Sequence, residues 1–161
     1  MIENSKLDIA QEYFKKAYKL HLEGKIEEAV DYYRMSIDIY PTAEAHTFLG
    51  WAYSLQGKFE DAIDECHTAI ELDDSYGNPY NDIGAYLIDL GKYDDSVEWF
   101  ERAINAPRYV FRHLPYYNLG RVYEKKGDWF SAIKFYNDAL KINRDYEAAK
   151  NAVIRLTTLM N

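Results

Sequence analysis

Four regularly spaced glycines constrain the fold of this chain more than any other feature of its sequence. They are Gly24, Gly57, Gly91 and Gly127. Their spacings are 33, 34 and 36 residues, and each is followed by an amphipathic run that ends near a small residue and an Ile or Leu. Units of this length with two helical segments predict a helical solenoid, in which every unit buries its apolar face against its neighbours.

Each unit repeats the same residue types at the same places. The second unit carries Leu49, Gly50, Tyr53, Ala62 and Ala69, and the fourth carries Leu119, Gly120, Tyr123, Ala132 and Ala139. This register of Leu-Gly, Tyr and two alanines resembles the tetratricopeptide repeat family, and the resemblance covers about residues 10 to 146. It implies an all-α fold, a right-handed superhelical solenoid of antiparallel helix pairs.

We expect a single domain over residues 1–161. Its repeats are predicted at about residues 10–42, 43–76, 77–112 and 113–146, and a capping helix at about 145–160. One face of this last helix carries Ala149, Val153, Leu156 and Met160. Because a terminal repeat has no further neighbour to bury its apolar surface, the helix is predicted to act as a solubilising cover.

A second set of glycines falls inside the first helices of the units. Its members are Gly50, Gly84 and Gly120. Because an internal Gly costs a helix about 1 kcal/mol relative to Ala, these positions predict close contact between the two helices of a unit. Ala17 takes the same place in the first unit, and the expected counterparts on the second helices are Ala29, Ala62, Ser96 and Ala132.

The composition is that of a folded chain with a well-solvated exterior, since 48% of its residues are hydrophobic and 29% are charged. No apolar run approaches the roughly 20 residues that span a bilayer, and the first residues lack the pattern of a secretory signal. The single cysteine, Cys66, cannot form an internal disulfide. We therefore expect a cytoplasmic protein without membrane insertion.

Charge is divided unevenly along the chain. Residues 1–101 contain 8 Lys and Arg against 22 Asp and Glu, a balance of −14, whereas residues 102–161 contain 11 against 5, a balance of +6. Such a division can orient a charged partner or join copies of the chain head to tail. It is equally consistent with solvated helix faces that differ in composition.

The spacing lengthens before the fourth unit, in the segment 106–115. Pro107 is predicted to end the preceding helix, and Pro115 to lie in the first turn of the next. The loop contact candidates between them are Arg108, Tyr109, Phe111 and Arg112. Basic and aromatic side chains on a loop are a candidate contact surface, and the alternative is that Tyr109 and Phe111 fill the joint between two units.

In tetratricopeptide repeat proteins the first helices of successive units line a concave surface. Carried onto this sequence, the resemblance implies a groove that binds a peptide or helix of another protein. Its predicted contact residues are Phe14, Tyr18, Thr47, Trp51, Ser54, Asn78, Asn81, Ala85, Ile88, Tyr117, Asn118, Arg121 and Glu124. Aromatic residues are frequent anchors of interfaces, and amide and guanidinium groups bind peptide backbones or carboxylates. The alternative for Trp51 is that it packs against neighbouring first helices as part of the core.

Two narrower resemblances concern the family's uses. Chaperone-binding members hold a terminal carboxylate with Lys, Asn and Arg side chains spread over three units. The corresponding positions here are Phe14, Tyr18, Phe48, Asn78 and Asp82 in units one to three, and Thr47, Trp51, Asp82, Leu114 and Asn118 in units two to four. The clamp is absent in both registers, which disfavours that mode of binding. The stretch 81–140 is similar to tetratricopeptide repeat proteins that help assemble type IV pili.

The sequence shows no pattern that indicates catalysis, a metal site or a cofactor. Its four histidines are scattered, without the spacing of known metal motifs, and Cys66 takes an apolar repeat position where a buried, unreactive thiol is expected. Overall acidity disfavours nucleic acid, for which only the fourth unit and the cap offer basic residues. We expect a non-enzymatic scaffold that binds another protein. The alternative is an assembly module that self-associates or binds an anionic partner through its basic C-terminal unit.

Overall fold

The structure is a computed structural model that describes residues 2–161, with side chains described from residue 5 onward. Over that range the chain forms nine α-helices and no β-strand. The helices are α1 (Ile2–Leu22), α2 (Ile26–Ile39), α3 (Ala43–Leu55), α4 (Phe59–Leu72), α5 (Asn78–Asp89), α6 (Tyr93–Asn105), α7 (His113–Lys125), α8 (Trp129–Ile142) and α9 (Glu147–Met160).

Consecutive helices pack against one another in chain order. α1 pairs with α2, α3 with α4, α5 with α6 and α7 with α8, while α9 packs on α8. Beyond these neighbours, contacts also join α1 to α3, α3 to α5 and α5 to α7, which are the first helices of successive units. The predicted fold is confirmed: the chain is an all-α, right-handed superhelical solenoid of antiparallel helix pairs.

The turn inside each helix pair is formed around its glycine. The four spaced glycines have φ between +75° and +78°, a left-handed conformation that other residues disfavour. In the first pair Gly24 donates its N–H to the carbonyl of His21 at 3.0 Å, and Lys25 donates its N–H to that of Leu20 at 2.9 Å. The other three turns repeat both bonds at 2.8 to 3.0 Å. These bonds satisfy carbonyls at the end of each first helix while the chain reverses.

Glycines inside the first helices mark close contact within a unit, as the sequence predicts. At Gly84 an added Cβ would lie 2.6 Å from the ring of Phe100. At Gly120 it would lie 2.5 Å from the ring of Tyr136. In both cases the nearest atoms belong to an aromatic ring one turn beyond the expected small counterparts, Ser96 and Ala132. In the second unit the neighbour is the predicted one, Ala62.

The apolar core is divided along the solenoid. Its largest cluster joins buried residues of α1 to α5 and includes Tyr33, Ile83 and Cys66. Burial raises the pKa of the Cys66 thiol, which keeps it neutral and unreactive at ordinary pH. A second cluster joins α8 to α9 through Tyr136 and Leu156. The two ends of the molecule are therefore stabilised by separate sets of side chains.

The long connection before α7 is bound to the connection that precedes α5. Pro107 follows the end of α6 and Pro115 lies in the first turn of α7, both as predicted. Arg108 donates its N–H to the carbonyl of Ser75 at 2.9 Å, and its own carbonyl accepts the N–H of Gly77 at 3.0 Å. Two connections that are far apart in the sequence are thus paired backbone to backbone.

Side chains reinforce this joint between connections. Tyr109 is 6% exposed and packs with Tyr80 and Ala103. An added Cβ at Gly77 would lie 2.4 Å from the Cβ of Tyr109, so only glycine fits this position without displacement of the tyrosine. The guanidinium of Arg108 lies 4.3 Å from the centroid of the Tyr76 ring. The joint therefore combines backbone pairing, burial and a cation–π contact.

The last helix covers the end of the solenoid incompletely. Ala149 and Leu156 of α9 are buried against α8. The opposite face is not uniformly polar, since the exposed fraction is 64% for Ile154 and 61% for Leu159. Met160, expected on the inner face, is also exposed, because it lies in the last turn of the helix.

Candidate functional site

The first helices and the long connection line an open groove with a volume of about 530 Å³. α1, α3 and α5 contribute most of its lining, and the long connection and α7 add one residue each. The lining residues are Tyr18, Thr47, Phe48, Trp51, Ser54, Asn78, Asp82, Ala85, Tyr86, Phe111 and Leu114. The surface that the resemblance assigns to partner binding therefore contains a cavity that can admit side chains.

Three aromatic residues of α1 and α3, here named the aromatic wall, form one part of the lining: Tyr18, Phe48 and Trp51. Tyr18 and Trp51 are 39% and 37% exposed. The ring of Trp51 packs on the buried ring of His21, with centroids 3.9 Å apart, and meets Phe48 at 5.8 Å. Trp51 thus has one part of its ring held by the core while the rest is open to the groove.

The long connection supplies a further aromatic residue, Phe111. It is 50% exposed, and it lines the same groove as the aromatic wall although 60 residues separate it from Trp51. Leu114, in the first turn of α7, adds an aliphatic side chain next to it. Because the connection is bound to its neighbour through Arg108 and Tyr109, the position of Phe111 is fixed by packed structure rather than by a free loop.

One carboxyl group, that of Asp82 on α5, lies among these aromatic residues. Burial raises its pKa to about 7, and a hydrogen bond from the side chain of Asn81 offsets part of this effect. Among the described residues no Lys or Arg forms an ion pair with Asp82. The groove therefore carries a carboxyl group that has no cationic partner among the described residues.

Several predicted groove residues contribute packing rather than exposed contacts. Phe14 is half-buried, and its ring lies 5.6 Å from that of Tyr33 and 5.2 Å from that of Phe48. Thr47 is buried, with its hydroxyl donating to the carbonyl of Ala43 at 2.7 Å. Ile88 is 5% exposed and belongs to a core cluster of α5 to α8. Of these three residues, Thr47 is the one that lines the groove.

The predicted residues of α5 and α7 form a polar row. The amide nitrogen of Asn118 donates to the side-chain oxygen of Asn81 at 3.0 Å, and the oxygen of Asn118 accepts from the guanidinium of Arg121 at 3.0 Å. Both asparagines are buried, and Arg121 is half-buried. The ring of Tyr117 packs on that of Tyr146 at 5.1 Å, next to the last helix. This row lies outside the groove lining and fixes the approach of α7 to α5.

The four loop contact candidates separate into two kinds. Tyr109 is buried in the joint, which matches the joint-filling alternative for that residue. Arg108 bonds Glu44 at 2.8 Å and Asp73 at 2.6 Å. Arg112 donates to backbone carbonyls at the end of α6, including that of Ala106 at 2.8 Å. Of the four, Phe111 is the one that lines the groove, and the other three are engaged within the chain.

Four lining residues were not among the predicted contacts: Phe48, Asp82, Tyr86 and Leu114. Three of them, Phe48, Asp82 and Leu114, occupy positions of the missing carboxylate clamp. A usable signal was Gly77, the glycine outside the repeat pattern, because it marks the contact with Tyr109 that holds the long connection in place. That contact is what places Phe111 and Leu114 beside the aromatic wall.

The basic residues of the fourth unit and cap are largely engaged within the chain. Arg155 bonds Glu124 at 2.6 and 3.0 Å, and this pair lowers the pKa of that carboxyl. Lys126 pairs with Asp94 of the third unit. Lys141 and Lys150 also form ion pairs, each with an acidic residue close in sequence. These pairs reduce the basic surface that is open to an anionic partner.

The described residues contain neither a cluster suited to a metal ion nor a helix suited to span a membrane. Within the described residues, no group of three or more His, Cys, Asp and Glu side chains is arranged to hold a metal ion. In the part of the chain that the structure covers, none of the helices has both the length and the apolar composition needed to cross a bilayer. The groove combines a cavity, exposed aromatic rings and a carboxyl group without a cationic partner among the described residues.

Comparison with known families agrees with this architecture. Models of the tetratricopeptide repeat match residues 43–76, 80–106 and 113–146. These matches together cover more than half of the chain, and they coincide with its second, third and fourth helix pairs. The chain belongs to the tetratricopeptide repeat family.

Curated relatives match parts of longer proteins. An uncharacterized protein of Haemophilus influenzae is 26% identical over 101 residues, which make up 63% of this chain and 51% of that protein. The small glutamine-rich tetratricopeptide repeat-containing protein 2 of Mycosarcoma maydis is 28% identical over 99 residues, 56% of this chain and 28% of that protein. The chain thus aligns with about half the length of the first relative and a smaller part of the second.

Solved structures share the fold at low sequence identity. The structure of pilF from Pseudomonas aeruginosa has a TM-score of 0.89 at 20% identity, over 97% of this chain and 71% of that one. PilW, described as a widely conserved type IV pilus biogenesis factor, gives 0.85 at 16% identity, over 94% and 70%. YrrB, described as a TPR protein with an unusual peptide-binding site, gives 0.71 at 19% identity, over 89% and 73%. At these identities the likeness establishes the superhelical fold.

Proposed function

We propose that this protein is a non-enzymatic scaffold that binds a peptide or helix of a partner protein in the groove described above. Tetratricopeptide repeat proteins are in general protein interaction scaffolds, and YrrB, which has the same fold, is described by its peptide-binding site. The observation that carries the proposal is the placement of two exposed aromatic side chains, Trp51 and Phe111, in one cavity.

The proposed binding of a partner segment rests on the exposed aromatic surface of the groove. Partly exposed aromatic rings lose contact with water when a partner's apolar side chain covers them, and such residues commonly dominate the free energy of an interface. Trp51 is already held on one face by His21, so little side-chain freedom is lost when a partner binds. The groove is therefore suited to capture an extended or helical segment with at least one apolar side chain.

The proposal is tested in two steps. A library of displayed random peptides is first selected for binding to the wild-type protein, and binding of the enriched pool to two tryptophan variants is then measured. Trp51→Ala removes a groove residue, and Trp129→Ala removes a tryptophan of nearly equal exposure, 38% against 37%, outside the groove. We expect binding to fall about tenfold or more with Trp51→Ala and little with Trp129→Ala. Equal losses in the two variants, or no loss in either, would reject the groove as the binding site.

A second candidate function is assembly through the ends of the solenoid. The acidic residues 1–101 and the basic residues 102–161 carry balances of −14 and +6, and α9 exposes Ile154 and Leu159. One copy could therefore place its basic end against the acidic end of another, with the apolar residues of α9 covered in the contact.

A further inference from the structure

We propose that the segment bound in the groove is recognised by a basic side chain, Lys or Arg, which inserts between the aromatic wall and Phe111 to pair with the carboxylate of Asp82. This inference rests on the proposed function and names the chemistry of the partner: a peptide segment in which a Lys or Arg lies beside an apolar residue.

The charge of the lining supports a cationic ligand. Of the eleven lining residues, Asp82 is the one with an acidic side chain, and neither Lys nor Arg is among them. A carboxylate with no cation nearby in a partly apolar cavity gains more from an incoming positive group than an exposed carboxylate does, because the surroundings screen the attraction less. A partner's ammonium or guanidinium group would supply the missing counter-charge.

The aromatic residues of the groove favour the same ligand. A cation bound at Asp82 shares the groove with the exposed rings of Tyr18, Trp51 and Phe111, and the faces of aromatic rings attract cations. The aliphatic stem of a Lys or Arg side chain can pack on apolar surface while its charged end contacts polar groups. One side chain can therefore satisfy both the apolar rings and the carboxylate.

The net negative charge around the groove also favours a basic partner. Apart from Phe111 and Leu114, the lining comes from residues 18–86, within the part of the chain that carries the balance of −14. A field of this sign raises the local concentration of basic peptides and disfavours acidic ones. The expected partner is thus opposite in charge to the acidic C-termini that the carboxylate-clamp members of the family bind.

The experiment compares displayed peptide selections on the wild-type protein, Asp82→Asn and Asp89→Asn. Asp89 is an exposed carboxylate on the same helix and outside the groove lining, so its variant controls for the loss of one negative charge. We expect the wild-type and Asp89→Asn pools to share a Lys or Arg next to an apolar residue, and the Asp82→Asn pool to lack this preference. In a soluble peptide from the wild-type pool, exchange of the basic residue for norleucine should weaken binding to the wild type about tenfold or more.

The outcomes separate the two proposals. A pool that binds in a Trp51-dependent manner without a basic preference, or with a preference that persists in Asp82→Asn, overturns this inference and leaves the proposed function intact. A failure to obtain any pool that depends on Trp51 overturns the proposed function and this inference with it. The asparagine variant keeps the size of the side chain, and circular dichroism of the three proteins verifies that they have the same helical content.

Discussion

At the scale of single residues, Asp82 is the lining residue of the groove whose pKa is raised to about 7. The groups that interact with it electrostatically are Cys66 on α4, Tyr86 on its own helix, and Tyr76 and Tyr109 in the two paired connections. Burial raises the pKa of all four, so they stay neutral near pH 7. The groove lining from α1, α3 and α7 adds Tyr18 and no acidic or basic side chain. Changes in groove charge around neutral pH therefore come from Asp82.

We predict that the free energy of unfolding depends on this carboxyl. The pKa of Asp82 is about 7 in the folded chain against an ordinary value of 3.8, so the folded state binds the proton more tightly. Stability from this group is fully present below the ordinary value, falls as the pH rises towards 7, and is constant above. In urea titrations, the wild type should lose more stability than Asp82→Asn between about pH 5 and about pH 8.

The comparison with Asp82→Asn is needed because histidines act in the opposite direction. Burial lowers the pKa of His21 and His113, so their contribution to stability rises as the pH rises through the ordinary histidine value of 6.5. Both variants retain these histidines, and the difference between the two titrations isolates Asp82. Parallel pH profiles for the two proteins would show that the carboxyl is not perturbed by burial.

At the scale of elements, the paired connections act as one structural unit. The backbone bonds between Arg108 and residues 75–77 place Tyr109 in a core cluster and leave Phe111 in the groove. Arg108 is engaged at the surface, with 47% of its side chain exposed, whereas Tyr109 is buried. Adjacent residues of one loop thus stabilise the joint by different means.

We predict unequal costs for removing these two side chains. Tyr109→Ala should lower the free energy of unfolding by about 3 kcal/mol, because it leaves a cavity in a packed joint. Arg108→Ala should lower it by about 1 kcal/mol or less, because its ion pairs are partly exposed and screened by solvent. Urea denaturation followed by circular dichroism measures both values. A larger cost for Arg108→Ala would mean that charge rather than burial holds the connections together.

The sequence predicts elements formed by neighbouring residues better than contacts between distant ones. The helix pairs and their turns follow from a glycine at a fixed place in each unit, and Pro107 and Pro115 correctly bound the long connection. The burial of Tyr109 and the exposure of Phe111 depend on a second connection about 30 residues earlier, which no local pattern specifies. The raised pKa of Asp82 likewise arises from side chains assembled from several helices.

At the scale of the whole molecule, charge and apolar exposure are distributed from one end to the other. The acidic part contains most of the groove lining, and the basic part ends in α9 with its exposed Ile154 and Leu159. Ion pairs such as that between Arg155 and Glu124 hold several basic residues within the fourth unit and cap. Association between copies must therefore rely on the remaining basic residues, including Lys125 and Lys134, which are exposed.

Head-to-tail assembly predicts a particular response to salt. Light scattering at low ionic strength should give a mass above 18.9 kDa that rises with protein concentration and returns to this value as salt is added. The double variant Lys125→Glu with Lys134→Glu should remain at the single-chain mass under all these conditions. A wild-type mass that stays constant at low salt excludes this second candidate function.

The pairing of the two connections also restricts how the array can change in evolution. Helical repeat proteins commonly gain, lose or exchange whole units, because each unit contacts mainly its neighbours. Here, the backbone bonds from Ser75 and Gly77 to Arg108 join the two ends of the third unit. A unit inserted or deleted between these positions would break those bonds and expose Tyr109. The third unit is therefore expected to be inherited as a block of fixed length, while the outer units remain free to be exchanged.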